Sequence, residues 1–230
     1  MPLHPFVTRT RHRVDAAMVS FSSSPSDASA RDASASALAT LLRHASASLA
    51  SAGVPSPEVD AELLLGHVLG LSRGALQAAV IRGANVSTDD VARYEVLVDR
   101  RIAREPLQHI VGTAAFRHLE LRVGPGVFVP RPETELVAQF AIDALRVAAS
   151  DSPIGVDLGT GSGAIALAVA TEVPHARIFA AENSADAIEW TRENFDRTAA
   201  GNTTLEFVDL EHAFPELDGT VAVLVSNPPY

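Results

Sequence analysis

The chain has no cysteine and no lysine, a single tryptophan, two tyrosines and only 5% aromatic residues. Without cysteine there is no disulfide framework and no thiolate ligand for a metal, which suits a reducing compartment such as the cytoplasm. The lack of lysine makes every permanent side-chain cation an arginine, a bias of composition without functional content of its own. Also missing is any run of 18 uncharged apolar residues, so no segment is expected to span a bilayer. Positive charge is in short supply too. The formal net charge is -10 over 230 residues, and residues 1–112 hold 11 Arg against 11 Asp and Glu, whereas 113–230 hold 7 against 17. A surface that neutralises many phosphates needs a basic footprint, and the second half has the opposite sign, so direct nucleic-acid binding is not expected.

What is present centres on Ile154-Gly155-Val156-Asp157-Leu158-Gly159-Thr160-Gly161-Ser162-Gly163, a short apolar run that breaks into a glycine loop and enters the alanine-rich stretch Ala164 to Ala170. That order reads strand, tight turn, helix. Glycines at every second position allow positive φ and close approach of a ligand, and the free N–H groups opening the helix favour an anionic or polar group. About 23 residues beyond Gly159, Arg177 to Glu182 reads as a second strand ending in a carboxylate, the position that grips ribose hydroxyls in doubly wound nucleotide folds. A nucleoside-containing cofactor is therefore expected. Gly159-x-Gly161-x-x-Ala164 also satisfies the relaxed dinucleotide fingerprint, so the loop alone leaves NAD open.

Residues 1–35 are rich in Ser, Ala, Arg and Pro without apolar periodicity, and are read as a disordered extension. The cluster Arg9-Thr10-Arg11-His12-Arg13 resembles an organellar transit peptide in composition only; a plain extension, or a start at Met18, is the simpler reading. Residues 36–105 read as a small four-helix domain. Leu38, Leu41, Leu42, Ala45 and Leu49 keep helical spacing before Gly53 and Pro55, Pro57 opens a second helix, a third follows Ser72, and Ser87-x-x-Asp90 caps a fourth with Val91, Tyr94, Leu97 and Val98 inward. His44, His67 and His109 lack metal-ligand spacing, so no metal is expected. Pro106 is expected to end the helices, and 106–129 to form a β-hairpin linker with Phe116, Leu119, Leu121 and Val123 in partial alternation. Residues 130–230 then carry the glycine loop. They open on Pro130-Arg131-Pro132-Glu133-Thr134-Glu135 and an amphipathic helix through Leu136, Val137, Phe140, Ala141 and Leu145.

Two more strands are expected, Leu205 to Asp209 and Val221 to Ser226, the latter running into Asn227-Pro228-Pro229-Tyr230. The strand ends bring Asp157, Glu182, Asp209 and Asn227 to one edge of a parallel sheet, where such folds bind ligands. The two prolines fix φ and remove two N–H groups, so the turn offers carbonyls without competing donors, beside the Asn227 amide and the Tyr230 ring. That set suits a flat NH2-bearing group, whose hydrogens the Asn227 side-chain oxygen and the Pro228 carbonyl accept while its plane packs on Tyr230.

From Glu105-Pro106-Leu107-Gln108 through Val129-Pro130-Arg131-Pro132-Glu133-Thr134-Glu135, Asp157 to Gly163 and Asn227 to Tyr230, the chain resembles the release-factor glutamine methyltransferases over roughly residues 36–230. The resemblance implies a class I S-adenosylmethionine-dependent methyltransferase, a Rossmann-like doubly wound α/β sheet behind a small helical bundle. S-adenosylmethionine is then expected on Asp157, Gly159, Thr160, Gly161, Ser162 and Gly163, with Glu182 on its ribose, Asp209 and Leu210 near its adenine, and Asn227 beside it. Asn227, Pro228 and Tyr230 become the catalytic residues, and with Pro229 the substrate-binding ones. The substrate implied is the glutamine of a Gly-Gly-Gln loop in peptide-chain release factors, docked by the helical domain of a monomeric enzyme. The second strand ends in Glu182 where the family usually has Asp. Nucleic-acid amino-methyltransferases share Asn227 to Tyr230 and stay as the alternative, disfavoured by the acidic second half. The family's sheet continues beyond this motif, so the chain is expected to be a fragment of a longer protein or an inactive truncated remnant, with Val221 to Val225 an exposed apolar edge.

Overall fold

The computed structural model describes residues 28–227. The Arg9–Arg13 cluster and Pro228, Pro229 and Tyr230 lie outside the described residues. Among those described, no single helix is long and apolar enough to cross a membrane.

The first unit is helical: α1 (Ala28–Ser51), α2 (Pro57–Leu69), α3 (Arg73–Ile81), α4 (Thr88–Ile102) and α5 (Leu107–Val111). Its starts follow local chemistry. The Ser72 hydroxyl accepts from the Ala75 N–H at 3.3 Å, and Ser87 accepts from the Asp90 N–H at 3.0 Å while donating to the Asp90 carboxylate at 2.7 Å. Gly70, at φ 64°, closes α2 in the left-handed region. Leu38, Leu49, Leu64, Leu65, Leu76, Tyr94 and Val98 bury one another, and the Tyr94 hydroxyl is satisfied by the Ala61 carbonyl at 3.1 Å. A largely buried Arg101–Asp60 ion pair at 2.7 Å joins α4 to α2.

Two expectations need correcting here. The first helix already includes Ala28, the first described residue, so 28–35 are helical rather than part of a disordered extension; the frequent alanines carry the highest helix propensity and outweigh the serines. Pro106 does not end the helices. It caps α5, accepting from the Ile110 N–H at 3.1 Å, and Leu107, Ile110 and Val111 complete the helical core, so the segment read as extended is a helix as far as Gly112.

Strands β1 (Thr113–Phe116) and β2 (Leu119–Arg122) pair antiparallel in a tight hairpin. Phe116 and Leu121 enter the core of the second unit, and Arg117 at the turn, with φ 52°, fastens the hairpin there. Its N–H donates to Glu135 at 2.9 Å, and its guanidinium reaches Gln139 and both oxygens of Glu172. An arginine fork on a carboxylate is a geometry that a point-charge amine cannot copy.

Strands β3 (Ile154–Leu158), β4 (Arg177–Glu182), β5 (Thr203–Phe207) and β6 (Val221–Ser226) form one parallel sheet in the order β5-β4-β3-β6. Helices α6 (Thr134–Arg146) and α7 (Ala164–Glu172) cover one face, where Ile142, Leu145, Ile165, Leu167, Val169 and Ile178 meet. On the other face Phe214 and Leu217 close over Ile154, Val156 and Phe179, with Phe179 and Phe214 edge to face at 5.3 Å. The inward side of α6 differs from expectation. Ala138, Ala141, Ile142 and Leu145, at the i, i+3, i+4, i+7 spacing, are buried, whereas Leu136 and Phe140 are 59% and 65% exposed. The small residues of that first set let the helix lie close to α7 and β6. Strand β6 is an edge with Val223 and Val225 packed inward and Leu224 62% exposed.

Helix α8 (Ala185–Thr198) carries the chain's one tryptophan against the loop after β2, its indole N–H donating to the Pro125 carbonyl at 3.1 Å. A Cβ at Gly124 would lie 2.3 Å from the Trp190 ring. Gly124→Ala is therefore expected to displace the indole, shift its fluorescence emission to the red and destabilise the second unit by about 1–3 kcal/mol. A denaturant titration followed at the tryptophan checks both outcomes.

Candidate active site

Strand β3 lies between β4 and β6, and the chain leaves it toward β4 first and reaches β6 only after β5. This reversal opens a crevice at the carboxyl ends of β3 and β6, the place where open α/β sheets hold ligands. The glycine loop leaves β3 there, and Asn227 follows β6 on the other side, with the ends tied by the Ser226 hydroxyl donating to the Leu158 carbonyl at 2.7 Å.

The loop is held from below and from the sides. Because Ile154 and Val156 face Phe179, the alternation of β3 turns Asp157 under the start of α7, where it is only 2% exposed. Its Oδ2 accepts from the Thr160 hydroxyl at 2.7 Å and the Ala166 N–H at 3.1 Å, while its Oδ1 is buried without a partner. Asp157 thus supports the loop from beneath and lies away from the open crevice. Gly159 and Thr160 donate their N–H groups to the Ala181 carbonyl at 2.9 and 3.0 Å, laying the loop on the end of β4. Gly159, Gly161 and Gly163 have φ of 71°, 59° and 81°, a region costly for residues with a Cβ. A Cβ at Gly159 or Gly161 would meet nothing within 4 Å, whereas one at Gly163 would strike the Phe195 ring at 2.9 Å. The first two glycines therefore border open space and the third serves helix packing, the division of labour of nucleotide-binding loops.

Glu182 is buried at the end of β4, and its carboxylate is already engaged. Oε2 accepts from the Gly161 N–H at 2.7 Å, and Oε1 from the Asn183 and Ser184 N–H groups at 3.0 and 2.9 Å. A carboxylate has about four acceptor positions, so one is left for a ligand hydroxyl unless the Gly161 bond opens. Ser162 is buried within the loop. Asp209 stands two residues beyond β5, exposed, capping a short turn by accepting from the Glu211 N–H at 3.0 Å, and Leu210 packs beside Phe214. The structure therefore gathers Gly159, Gly161, Glu182 and Asn227 around the crevice, keeps Asp157 and Ser162 beneath its surface, and sets Asp209 at its rim on the β5 side.

Three residues that sequence reasoning passed over complete the frame. Asn194, on α8, donates its Nδ2 to the Ser162 and Arg122 carbonyls at 2.9 Å each and accepts the Arg122 N–H, joining the loop to the hairpin. Thr191 donates its hydroxyl to the Gly161 carbonyl. Thr134, the first residue of α6, accepts from Asn227 Nδ2 at 3.1 Å. Only the last had a signal, its place in the Pro-Arg-Pro-Glu-Thr-Glu stretch.

Burial pushes the Asp157 carboxyl up to about 6, with a smaller contribution from the nearby Glu182 charge, against the Thr160 and Ala166 hydrogen bonds that pull it down. The folded protein therefore binds this proton more tightly than the unfolded chain does. The resulting stabilisation is complete below the ordinary carboxyl pKa of about 4 and is lost as pH rises through about 6. Asp157→Asn has no such proton. Between pH 8 and pH 4 the stability of the parent relative to this variant is expected to rise by about 2 kcal/mol, most of the shift from 3.8 to about 6. Paired urea titrations at several pH values measure it, and a difference that does not move with pH contradicts a raised carboxyl pKa.

Comparison with known proteins identifies the family. Residues 40–112 match the family described as PrmC N-terminal domain, and residues 118–230 match the methyltransferase small domain. A release factor glutamine methyltransferase from Streptomyces coelicolor is 54% identical over 182 residues, 79% of this chain and 62% of that protein. Those of Bifidobacterium longum and Mycolicibacterium smegmatis are 43% and 46% identical, over 83% and 84% of this chain and 68% and 66% of their own lengths. The chain thus spans between 62% and 68% of these relatives. With both the helical unit and the glycine-loop unit matched in the same order, the chain belongs to the release factor glutamine methyltransferase family.

Proposed function

We propose that this chain carries the cofactor site and the amide-holding group of an enzyme that methylates the side-chain nitrogen of a glutamine in peptide-chain release factors. The observation that supports this most is the position of Asn227, at the end of β6 and across the crevice from an open glycine loop. The relatives' names supply the substrate, and the resemblance supplies its Gly-Gly-Gln context.

The residues fit S-adenosylmethionine. Open space over Gly159 and Gly161 leaves room for the cofactor against the backbone, the free acceptor position of Glu182 suits a ribose hydroxyl, and Leu210 gives an apolar surface for a base. When bound, the cofactor supplies a methyl group activated by a sulfonium. The protein's part is to orient the acceptor. An amide nitrogen is a poor nucleophile because its lone pair is delocalised into the carbonyl, so it must be held in line. The Asn227 side-chain oxygen accepts one of its hydrogens and, as the sequence suggests, the Pro228 carbonyl accepts the other, with Tyr230 against the amide plane. Such alignment is worth ~7–11 kcal/mol in favourable cases, and carbonyl acceptors also favour the positive charge that grows on nitrogen. Asp157, Thr191 and Asn194 keep the loop in shape.

Calorimetry on the protein at its native length is expected to show S-adenosylmethionine binding and no NAD binding; the reverse contradicts the assignment of the loop. Asn227→Ala is expected to lower kcat on a release factor by about 10²–10³, as loss of one preorganised polar group does at comparable sites. Cofactor affinity should stay within a few-fold, because the loop and Glu182 do not depend on that amide. Single-turnover assays with calorimetry separate the two effects, and parent-like turnover of Asn227→Ala removes Asn227 from this role.

A further inference from the structure

We propose that Thr134 is a positioning residue: its hydroxyl anchors the Asn227 amide nitrogen and so decides which end of that amide faces the substrate. The inference rests on the reading of Asn227 given above and adds a residue to it. Thr134 is 9% exposed at the start of α6, with its N–H donating to the Arg131 carbonyl at 3.0 Å, so its side chain projects from a fixed turn. Its Oγ1 accepts from Asn227 Nδ2 at 3.1 Å across 93 residues of sequence. No described residue donates to Asn227 Oδ1.

The two ends of an asparagine amide are alike in shape and opposite in chemistry, one accepting and one donating. Facing a substrate NH2, only the oxygen is useful; a flip about χ2 would set donor against donor. A threonine hydroxyl can donate as well as accept, but donating would need the Asn227 oxygen turned toward Thr134 and the NH2 end turned toward the substrate. With a substrate N–H also needing an acceptor, one arrangement satisfies all three groups: Asn227 Nδ2 to Thr134, and substrate N–H to Asn227 Oδ1. The carbon skeleton at both residues can stay in place while this polarity is lost, so the role is separable from folding. The backbone beneath is fixed independently, since Ser226 is tied to Leu158 and β6 is paired with β3 through Ser226.

The test compares Thr134→Val, which keeps the shape and loses the acceptor, with Thr134→Ser, which keeps the acceptor, each alone and with Asn227→Ala, in the protein at its native length. A neutral hydrogen bond of ordinary strength corresponds to a drop in kcat of about three- to tenfold for Thr134→Val. The expected pattern is that drop with unchanged S-adenosylmethionine affinity, recovery in Thr134→Ser, and no further loss when Thr134→Val is added to Asn227→Ala. Independently of activity, nitrogen-15 NMR should show the Asn227 side-chain NH2 slowed in hydrogen exchange in the parent and in Thr134→Ser, and fast in Thr134→Val. A full Thr134→Val loss on top of Asn227→Ala, or parent-like kcat and exchange in Thr134→Val, overturns the proposal while leaving the role of Asn227 intact. Parent-like turnover of Asn227→Ala overturns both.

Discussion

Strand β3 has neighbours that the chain visits in opposite directions, and most of what is distinctive here follows from that constraint. Parallel strands cannot be joined by tight turns, so each crossover must climb back over a face of the sheet. Where the direction of climbing changes, no crossover covers the strand ends. The crevice is therefore a consequence of topology, and the sequence lines it with what ligand chemistry needs: glycines that leave open space, a buried carboxylate and an asparagine. The buried Asp157 shows the energetic side of this arrangement. A carboxylate with one unpartnered oxygen is an unfavourable thing to bury, yet it accepts from both ends of the turn it supports.

Much of this was legible in the sequence, for identifiable reasons. The apolar runs 154–158, 177–182 and 221–226 become strands with those bounds, because buried parallel strands read as short continuous apolar blocks. Ser72, Ser87 and Pro57 mark helix starts, since capping is decided within a turn of chain. What escaped is what depends on tertiary context. The inward face of α6 cannot be read from apolar spacing alone, because Leu136 and Phe140 keep a helical period as good as that of Ala138 and Ile142. Helix α5 is five residues long and made stable by the core it joins, not by its own propensity. Asp157 and Glu182 were legible as carboxylates at strand ends. That their oxygens accept from the protein's own backbone N–H groups was not, since that depends on where Ala166, Gly161, Asn183 and Ser184 lie in space.

The hairpin between the two units is a strut more than a linker. Arg117 binds it to α6 and α7, Asn194 binds its second strand to the glycine loop, and Phe116 and Leu121 give it a share of the sheet's core. Its first residue follows directly on α5 and Gly112, so the helical core and the crevice are joined by a short piece of backbone with little freedom.

The bonds that shape the glycine loop reach it from later in the chain: Gly161 from Glu182, 21 residues on, and from Thr191, 30 residues on, and Ser162 from Asn194, 32 residues on. Contacts of long sequence separation form late in folding, because the intervening chain must be ordered before they repay its loss of freedom. In a chain emerging in order from its amino end, the glycine loop precedes Glu182, Thr191 and Asn194, so it lacks these bonds until β4 and α8 are in place. The shape of the nucleotide loop is thus completed by residues that the chain supplies only after the loop itself.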